Sequence, residues 1–312
     1  MTTYTTIQTQ KKDFETILNE FKDFLSTIND SNITRFRDNL YKKIREIAKI
    51  IDSSPNRELL KKYFYDAFSD FDASPIHRRA REKPLGYAGD YLLIDWIYTE
   101  KKSRNGISRF LDELFHSYEA AEAVRNRKQF FINKCHKMIR ESCSTIHILN
   151  IGCGSCRDIL ETITTCKNRQ SAFFHCIDQE QEAIEYARNL LKDNVPMNNI
   201  KLECANCFRF RSNQKYDLIW SAGMFDYFED RLVIILLRKL WRYLKDGGEI
   251  VFGNFSPKNP TKIGMELGCN WYLIHRSSND LIRLCKKANI PFSEIEIESE
   301  PLGINLFCTI KK

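Results

Sequence analysis

The sequence has no apolar run long enough to cross a bilayer. The longest, Leu232–Leu237, has six residues, whereas a membrane-spanning helix needs about 20. The amino terminus, MTTYTTIQTQKK, also lacks the apolar core of a signal peptide. We therefore expect a cytoplasmic protein, a compartment in which its eleven cysteines stay reduced.

A block of like charge is missing as well. The net charge is +7, and the basic residues are interspersed with acids, as in KKDFETILNEFKD. This mixture is typical of solvated helix faces, so we expect no nucleic-acid partner. Hydrophobic residues make up 43% of the chain, with 21 Phe and 13 Tyr, which is ample for a large core and argues against global disorder.

The stretch Thr145–Asp158, TIHILNIGCGSCRD, predicts a strand, a glycine loop and a helix. Its apolar half suits a strand buried on both faces of a parallel sheet. Gly152 and Gly154 allow a sharp turn and the close approach of a ligand, and Asp158 stands where a helix would begin. The third glycine of the G-x-G-x-x-G fingerprint is absent, because position 157 is Arg157. Free backbone N–H groups there favour a nucleotide-like ligand, with an ordinary tight turn as the alternative.

An acidic residue follows the next strand. Ala172–Ile177 has the composition of a buried strand, and Asp178 comes directly after it. In dinucleotide-binding folds an acid lies about 20 residues beyond the glycines, and it binds ribose hydroxyls. The order of the two motifs therefore favours a ligand that carries ribose.

These residues resemble the class I S-adenosylmethionine-dependent methyltransferases. NIGCGSC matches the first motif of that family and CID the second, although Asn150 occupies a position that is often acidic. The resemblance implies S-adenosylmethionine as cofactor, with Gly152 and Gly154 under its methionine portion and Asp178 on its ribose. It assigns Asn206 to the adenine amino group, for which a turn-forming Asn is the alternative. The other implied cofactor-site residues are Cys153, Gln179, Cys207, Ser221 and Ala222.

The order of elements predicts an α/β fold. Helical spacing is found in residues 11–71 and 107–143, after which strands and helices alternate. This predicts a doubly wound, mostly parallel sheet, and the resemblance implies a Rossmann-like, seven-stranded form with an antiparallel last strand. We expect a helical region at 1–143 and a cofactor-binding domain at 144–312. The later predicted strands are Ile200–Cys204, Asp217–Trp220, Glu249–Phe252, Glu294–Glu298 and Ile304–Ile310, and the helices are Glu180–Lys192, Asp230–Leu244 and Asp280–Ala288.

Residues 77–98 combine arginines, tyrosines and two glycines ahead of the cofactor-binding domain. The loop with Pro84, Gly86 and Gly89 predicts a lid, with a structural connector as the alternative. Asp90 can cap the helix that follows it.

A narrower resemblance comes from KPLGYAGDY, GNFSPKNP and WYLIHRS. These segments are similar to bacterial methyltransferases that make the extracellular factor 3-hydroxypalmitic acid methyl ester, which implies a small-molecule acceptor and favours methyl esterification of a carboxylic acid. Such an acceptor is ionised at neutral pH and needs a cation rather than a base. The candidate catalytic residues are Tyr87, Tyr91, Arg276 and His275; further cations are Arg78, Arg79 and Arg81, and further pocket walls are Trp271 and Tyr272.

Two alternatives stay open. An amine or hydroxyl acceptor would need a proton acceptor, for which His275, Asp226 and Asp90 are candidates. The chain could also bind S-adenosylmethionine without turnover and act on a protein partner. Two C-x-x-C pairs, Cys153 with Cys156 and Cys204 with Cys207, are too far apart for an ordinary zinc ribbon, so we expect packing near the cofactor and no metal.

Overall fold

The computed structural model describes residues 14–25, 33–166 and 172–312. The predicted helical stretch 11–71 therefore lies partly outside the described residues, at 11–13 and 26–32. The chain forms two compact units that are interleaved in sequence. A helical unit contains Glu100–Glu122, Pro260–Tyr272 and the described residues up to Gly89; an α/β unit contains Asp90–Thr99, Ala123–Asn259 and Leu273–Lys312. The domain boundary at 143–144 stays a prediction.

The helices are numbered in chain order. They are α1 (residues 14–25), α2 (Ile33–Ser53), α3 (Arg57–Ala67), α4 (Pro75–Glu82), α5 (Tyr91–Tyr98), α6 (Gly106–His116), α7 (Glu119–Glu141), α8 (Arg157–Thr165), α9 (Gln181–Lys192), α10 (Asp230–Trp241), α11 (Lys262–Cys269) and α12 (Ser278–Ala288). The strands are β1 (Ile146–Ile151), β2 (Ala172–Asp178), β3 (Ile200–Cys204), β4 (Tyr216–Ser221), β5 (Leu244–Phe255), β6 (Glu294–Ser299) and β7 (Asn305–Lys311). None of these described helices is both long and apolar enough to span a membrane.

The core of the helical unit is built from phenylalanines. The rings of Phe21 and Phe64 lie 5.2 Å apart, and those of Phe68 and Phe71 stack at 4.0 Å. Gly268 on α11 meets this core closely, since a Cβ there would lie 3.0 Å from the Phe68 ring. The phenylalanine stripe of the sequence is therefore core, and a larger residue at 268 would collide with it.

The α/β unit is a seven-stranded sheet in the order β3-β2-β1-β4-β5-β7-β6. The first five strands are parallel, whereas β7 is antiparallel to both of its neighbours. The predicted fold class is confirmed. Because β1 pairs with β2 on one side and β4 on the other, the chain changes direction across the sheet between β1 and β4. In such sheets the ligand crevice lies outside the carboxyl ends of these strands.

The two faces of β1 bury different cores. Ile148 packs with apolar residues of α7, α8 and α9, whereas Leu149 and Ile151 pack with those of α10 and α12. Successive residues of a strand point to opposite faces, so a continuous apolar run is what a strand covered on both sides requires. The core thereby holds the end of β1 rigidly where the glycine loop begins.

Three predicted boundaries are wrong, the third being the end of the strand at Phe252, which lies at Phe255. The helix predicted to run to Leu244 ends at Trp241, and the strand predicted to begin at Glu249 begins at Leu244. The residues after Tyr243 belong to the sheet. Leu244 pairs with Tyr216 of β4, and the N–H of Tyr216 donates to the Tyr243 carbonyl at 2.8 Å. Tertiary pairing thus overrides the local helical pattern.

Candidate active site

The loop after β1 has the backbone geometry that its glycines predict. Gly152 and Gly154 have φ of +66° and +53°, a region that favours glycine. The N–H groups of Gly152 and Cys153 both donate to the carbonyl of Ile177, at 2.9 and 3.1 Å. A Cβ on Gly152 would lie 3.5 Å from Met224, which follows β4. The loop is therefore fastened to the end of β2 and covered by the segment after β4.

Asp178 binds the glycine loop directly. Its Oδ2 accepts the N–H of Gly154 at 2.9 Å, and its Oδ1 accepts the N–H of Glu180 at 3.0 Å. Burial raises the pKa of the Asp178 carboxyl, and these two backbone donors oppose the rise. Each carboxylate oxygen has a further lone pair, so the group can also accept hydrogen bonds from a diol.

Buried polar atoms without partners surround the carboxyl ends of β1 and β4. Asn150 Oδ1 and Ser221 Oγ are buried and have no hydrogen-bond partner among the described residues. The amide of Asn150 donates to Asp158 Oδ2 at 3.3 Å, and burial raises the pKa of the Asp158 carboxyl to about 6. Native proteins satisfy nearly all buried polar atoms, so such a group of atoms favours a polar ligand at this place.

Helix α5 lies against the glycine loop. A Cβ on Gly154 would lie 3.6 Å from Cβ of Tyr91. Asp95 of the same helix accepts two hydrogen bonds from Arg157, each of 2.9 Å, and a third from the Tyr186 hydroxyl at 2.8 Å. A bidentate, largely buried pair of this kind fixes orientation.

The Asp95 contacts were missed by the sequence analysis. The available signals were a lone acid in the apolar helix YLLIDWIY and an arginine in place of the third fingerprint glycine. Arg157 is thus the residue that ties the loop to α5. The predicted cap of that helix is confirmed, because Asp90 accepts the N–H groups of Leu92 and Leu93.

The residues after β2 and β3 are placed near the ends of their strands. Gln179 is exposed, and its side-chain amide donates to Glu180 at 3.1 Å. Asn206 is exposed and its Oδ1 accepts the N–H of Phe208 at 2.9 Å, which is the turn-forming arrangement. Cys207 is buried, which raises the pKa of its thiol to about 11.

Arg276 is already fully engaged. It is 3% exposed, and its guanidinium donates to Asp230 Oδ1 at 3.0 Å, to Asn254 Oδ1 at 2.9 Å and to the carbonyls of Phe225 and Phe228. This saturation favours a structural role over the predicted carboxylate clamp. His275 is half-buried, with Nδ1 3.0 Å from the Leu273 carbonyl and Nε2 3.3 Å from Asn259 Nδ2.

The remaining candidates belong to the helical unit. Tyr87 is half-buried there, as part of the loop in which Gly86 and Gly89 have positive φ. Arg81 is 6% exposed, pairs with Asp72 at 2.7 Å and stacks on Tyr65 with its guanidinium carbon 3.9 Å from the ring centre. Arg81 therefore stabilises its own unit. Arg78, Arg79, Trp271 and Tyr272 lie in the same unit.

Three thiols are packed beneath the glycine loop. The thiols of Cys153, Cys156 and Cys176 contact one another in a row. The contact with Cys156 and burial raise the pKa of Cys153 well above the ordinary range, and for Cys156 the contact with Cys176 and burial outweigh the lowering by Cys153. They are therefore neutral and unreactive near pH 7. No group of His, Cys, Asp or Glu in the described ranges is arranged to hold a metal ion.

The glycine loop and its surroundings also match a known family. Residues 148–248 match the model of a family described as a methyltransferase domain. No curated protein sequence matches the chain.

Solved structures share the fold at low sequence identity. A possible exported protein from Bordetella parapertussis superposes with a TM-score of 0.61 at 15% identity, covering 97% of this chain and 96% of that one. The methyltransferase SibL has a TM-score of 0.53 at 14% identity, with 89% and 76% covered. Magnesium protoporphyrin IX methyltransferase from Synechocystis has a TM-score of 0.51 at 9% identity, with 70% and 92% covered.

Sheet order, glycine loop and acidic strand end are those of a Rossmann-like fold whose crevice suits a nucleotide-like ligand. The match to a methyltransferase domain covers residues 148–248, about a third of the chain, and it implies an enzyme with S-adenosylmethionine as its cofactor. The residues present fit that cofactor, because the loop leaves its glycines without side chains and Asn150 and Ser221 offer partnerless polar atoms beside it.

Proposed function

We propose that the enzyme transfers the methyl group of S-adenosylmethionine to a small molecule, with a carboxylic acid as the favoured acceptor. The observation that carries this proposal is the glycine loop bonded to Asp178, beside the partnerless atoms of Asn150 and Ser221. When bound, S-adenosylmethionine supplies a methyl group made electrophilic by the sulfonium sulfur.

We assign the cofactor contacts residue by residue. Asp178 accepts the ribose hydroxyls, Gly152 and Gly154 lie under the methionine portion, and Asn150 Oδ1 accepts from its ammonium. Ser221 and Ala222, at the end of β4, face the methionine portion. Asn206 remains the candidate for the adenine amino group, with Cys153, Gln179 and Cys207 as packing neighbours.

Methyl transfer places few demands on acid–base groups. The reaction is an in-line displacement, so alignment and exclusion of water supply most of the rate. Tyr91 is placed to contribute to both, since it packs on Gly154 and its ring lies 5.4 Å from that of Tyr186. A carboxylate acceptor is already ionised at neutral pH and needs no base.

The acceptor class rests on two further supports. The segments KPLGYAGDY, GNFSPKNP and WYLIHRS are similar to the methyl-ester-forming bacterial family. Magnesium protoporphyrin IX methyltransferase is named for a small-molecule acceptor, which supports an acceptor of that kind. We retain a cytoplasmic setting, consistent with eleven free cysteines. The roles of Tyr87 and His275 in catalysis, and of residues 77–98 as a lid, stay predictions.

N-methylation is the second candidate, and one residue favours it. Asp226 is 1% exposed, and burial raises the pKa of its carboxyl to about 7. Its Oδ1 accepts the N–H of Phe255 at 2.6 Å, which fixes the side chain just beyond the end of β4. A carboxylate with such a pKa suits the removal of a proton from an amine at neutral pH.

Turnover with labelled cofactor tests the proposal. The enzyme is incubated with methyl-labelled S-adenosylmethionine and a panel of fatty acids and amino acids, and S-adenosylhomocysteine is measured. We expect product with a carboxylic acid, and we expect mild base to release its label. A base-stable product would favour N-methylation instead. Cofactor binding without product on any acceptor would leave only the non-catalytic binding module.

A further inference from the structure

Helix α5 is an isolated segment of the α/β unit. Its unit takes in only Asp90–Thr99 at this point of the chain, and the residues on either side, Gly89 and Glu100, belong to the helical unit. The α/β unit resumes at Ala123. The position of α5 on the glycine loop therefore depends on contacts that its side chains make with α8 and α9, and not on a short connection along the chain.

Asp95 connects α5 with both of these helices. It is 3% exposed, and its two oxygens accept Nε and Nη2 of Arg157 at 2.9 Å each and the Tyr186 hydroxyl at 2.8 Å. Arg157 is the first residue of α8, directly after the glycine loop, and Tyr186 lies on α9, which follows the end of β2. Burial and the bond to Asp95 raise the pKa of Tyr186 to about 12, so its hydroxyl keeps the proton that it donates. One carboxyl group thus joins α5 to the segments after β1 and β2.

Tyr91 is the residue of α5 that these contacts place on the glycine loop. It lies four residues before Asp95, so the two side chains share one face of the helix. A Cβ on Gly154 would lie 3.6 Å from Cβ and 3.7 Å from Cα of Tyr91, which means that the α5 backbone itself reaches the loop. The Tyr91 ring is also 5.4 Å from the ring of Tyr186. The bonds of Asp95 therefore set how closely Tyr91 covers the loop.

We propose that Arg157 and Tyr186 are positioning residues that act through Asp95 to hold Tyr91 over the glycine loop and thereby slow the release of S-adenosylmethionine. Neither residue has to touch the cofactor for this effect. The inference rests on the proposed function, since it needs S-adenosylmethionine on the glycine loop. It also gives a reason for an arginine in place of the third fingerprint glycine, because a guanidinium at position 157 reaches Asp95.

A double-mutant cycle with Tyr91 tests the inference. The affinity for S-adenosylmethionine is measured by calorimetry, and its dissociation rate by rapid-mixing displacement, for the wild type, Arg157→Met, Tyr91→Ala and the double variant. We expect Arg157→Met to weaken binding about 10-fold when Tyr91 is present, mainly through faster dissociation, because the wall over the cofactor is misplaced. In the Tyr91→Ala background the same substitution should change the affinity by no more than about 2-fold, since the residue that Arg157 positions is gone.

A milder variant and a control accompany the cycle. Tyr186→Phe keeps the ring and removes one of the three hydrogen bonds to Asp95, so it should weaken binding by about 2- to 5-fold. It takes the place of Arg157→Met in the cycle if that variant does not fold. Arg188→Met removes an exposed arginine from α9 and should leave the affinity unchanged.

The outcomes separate this inference from the proposed function. If Arg157→Met weakens binding equally with and without Tyr91, the arginine does not act through Tyr91 and the inference is overturned. Wild-type affinity in Arg157→Met would overturn it as well. In both cases the wild type still binds S-adenosylmethionine, and the proposed function stands. A wild type that binds no S-adenosylmethionine would overturn the proposed function, and this inference with it.

Discussion

Two buried arginines in the α/β unit have opposite surroundings. Arg276 is 3% exposed and its donors are all taken by Asp230, Asn254 and two carbonyls. Arg127 is 6% exposed and has one long hydrogen bond, to Tyr98. The same side chain at similar burial therefore has different surroundings in the two places: Arg276 is part of a dense hydrogen-bond network, whereas among the described residues Arg127 bonds only to the Tyr98 hydroxyl.

The difference follows from where the elements end. Around Arg276 the backbone turns of residues 225–230 bring the carbonyls of Phe225 and Phe228 to the guanidinium. Arg127 instead lies beside Gly223, just beyond the carboxyl end of β4, where the sheet order reverses. Polar atoms without partners destabilise a core, whereas in a binding site they form hydrogen bonds to the ligand.

Removing Arg276 should have the largest effect on stability. Arg276→Met leaves the buried Asn254 oxygen and the Phe228 carbonyl without the donors that Arg276 supplies, so we expect a loss of about 3 to 5 kcal/mol in urea unfolding. Arg283→Met is the matched control, because this arginine also pairs with Asp230 but is 53% exposed; it should cost at most about 1 kcal/mol.

The same unfolding measurement sharpens the contrast between the two arginines. Arg127→Met should cost less than Arg276→Met in the absence of cofactor, since among the described residues the Arg127 guanidinium bonds only to the Tyr98 hydroxyl. Equal losses would mean that Arg127 is held by the protein as firmly as Arg276, and the comparison would fail.

Asp226 should make stability depend on pH. Burial raises the pKa of its carboxyl from 3.8 to about 7, so the folded protein binds this proton more tightly than the unfolded chain does. Its contribution is complete below about pH 4 and is lost as the pH rises through about 7. At pH 8 Asp226→Asn should be more stable than the wild type, by at most about 4 kcal/mol, and at pH 4 about equal.

The control for that pH dependence is Asp246→Asn, at a side chain that is 97% exposed. It should leave the slope of unfolding free energy against pH unchanged. The activity of Asp226→Asn adds a second contrast. If an amine is the acceptor, the wild-type rate should rise with pH through about 7, and Asp226→Asn should lose most of its activity. If a carboxylate is the acceptor, we expect neither this pH dependence nor this loss of activity.

Asp178 should matter more for the ligand than for the fold. Asp178→Ala removes the acceptor assigned to ribose, so cofactor affinity should fall by about 1 to 3 kcal/mol. Glu182→Ala removes an exposed acid from the first turn of α9 and should leave affinity unchanged in the same calorimetric titration. Unchanged binding in Asp178→Ala would reject the ribose contact.

The parts of the site that were predictable are close together along the chain. The glycine loop depends on residues 152–154 and on the strand just before them, and the cap of α5 depends on Asp90 and the two residues it binds. In each case the conformational requirement of a few neighbouring residues is visible in their types. The mostly parallel sheet followed from the alternation of strands and helices, and its antiparallel last strand from the family resemblance.

The parts that could not be predicted depend on distant partners. Asp95 bonds to Arg157 and Tyr186, which are 62 and 91 residues away. Arg276 reads as a free cation in WYLIHRS, and only the folded turn after β4 brings carbonyls to it. The end of α10 was misplaced because β4 pairs with residues that are helical in pattern.

By itself the sequence determined the parallel sheet, the bend after β1 and the carboxylate after β2, because apolar periodicity, positive φ and strand ends are local requirements. Only the tertiary structure decided which buried charges are satisfied. Whether an arginine stabilises the fold or is available to a ligand depends on the acceptors near its guanidinium. Those acceptors belong to other elements, and only three-dimensional packing brings them there.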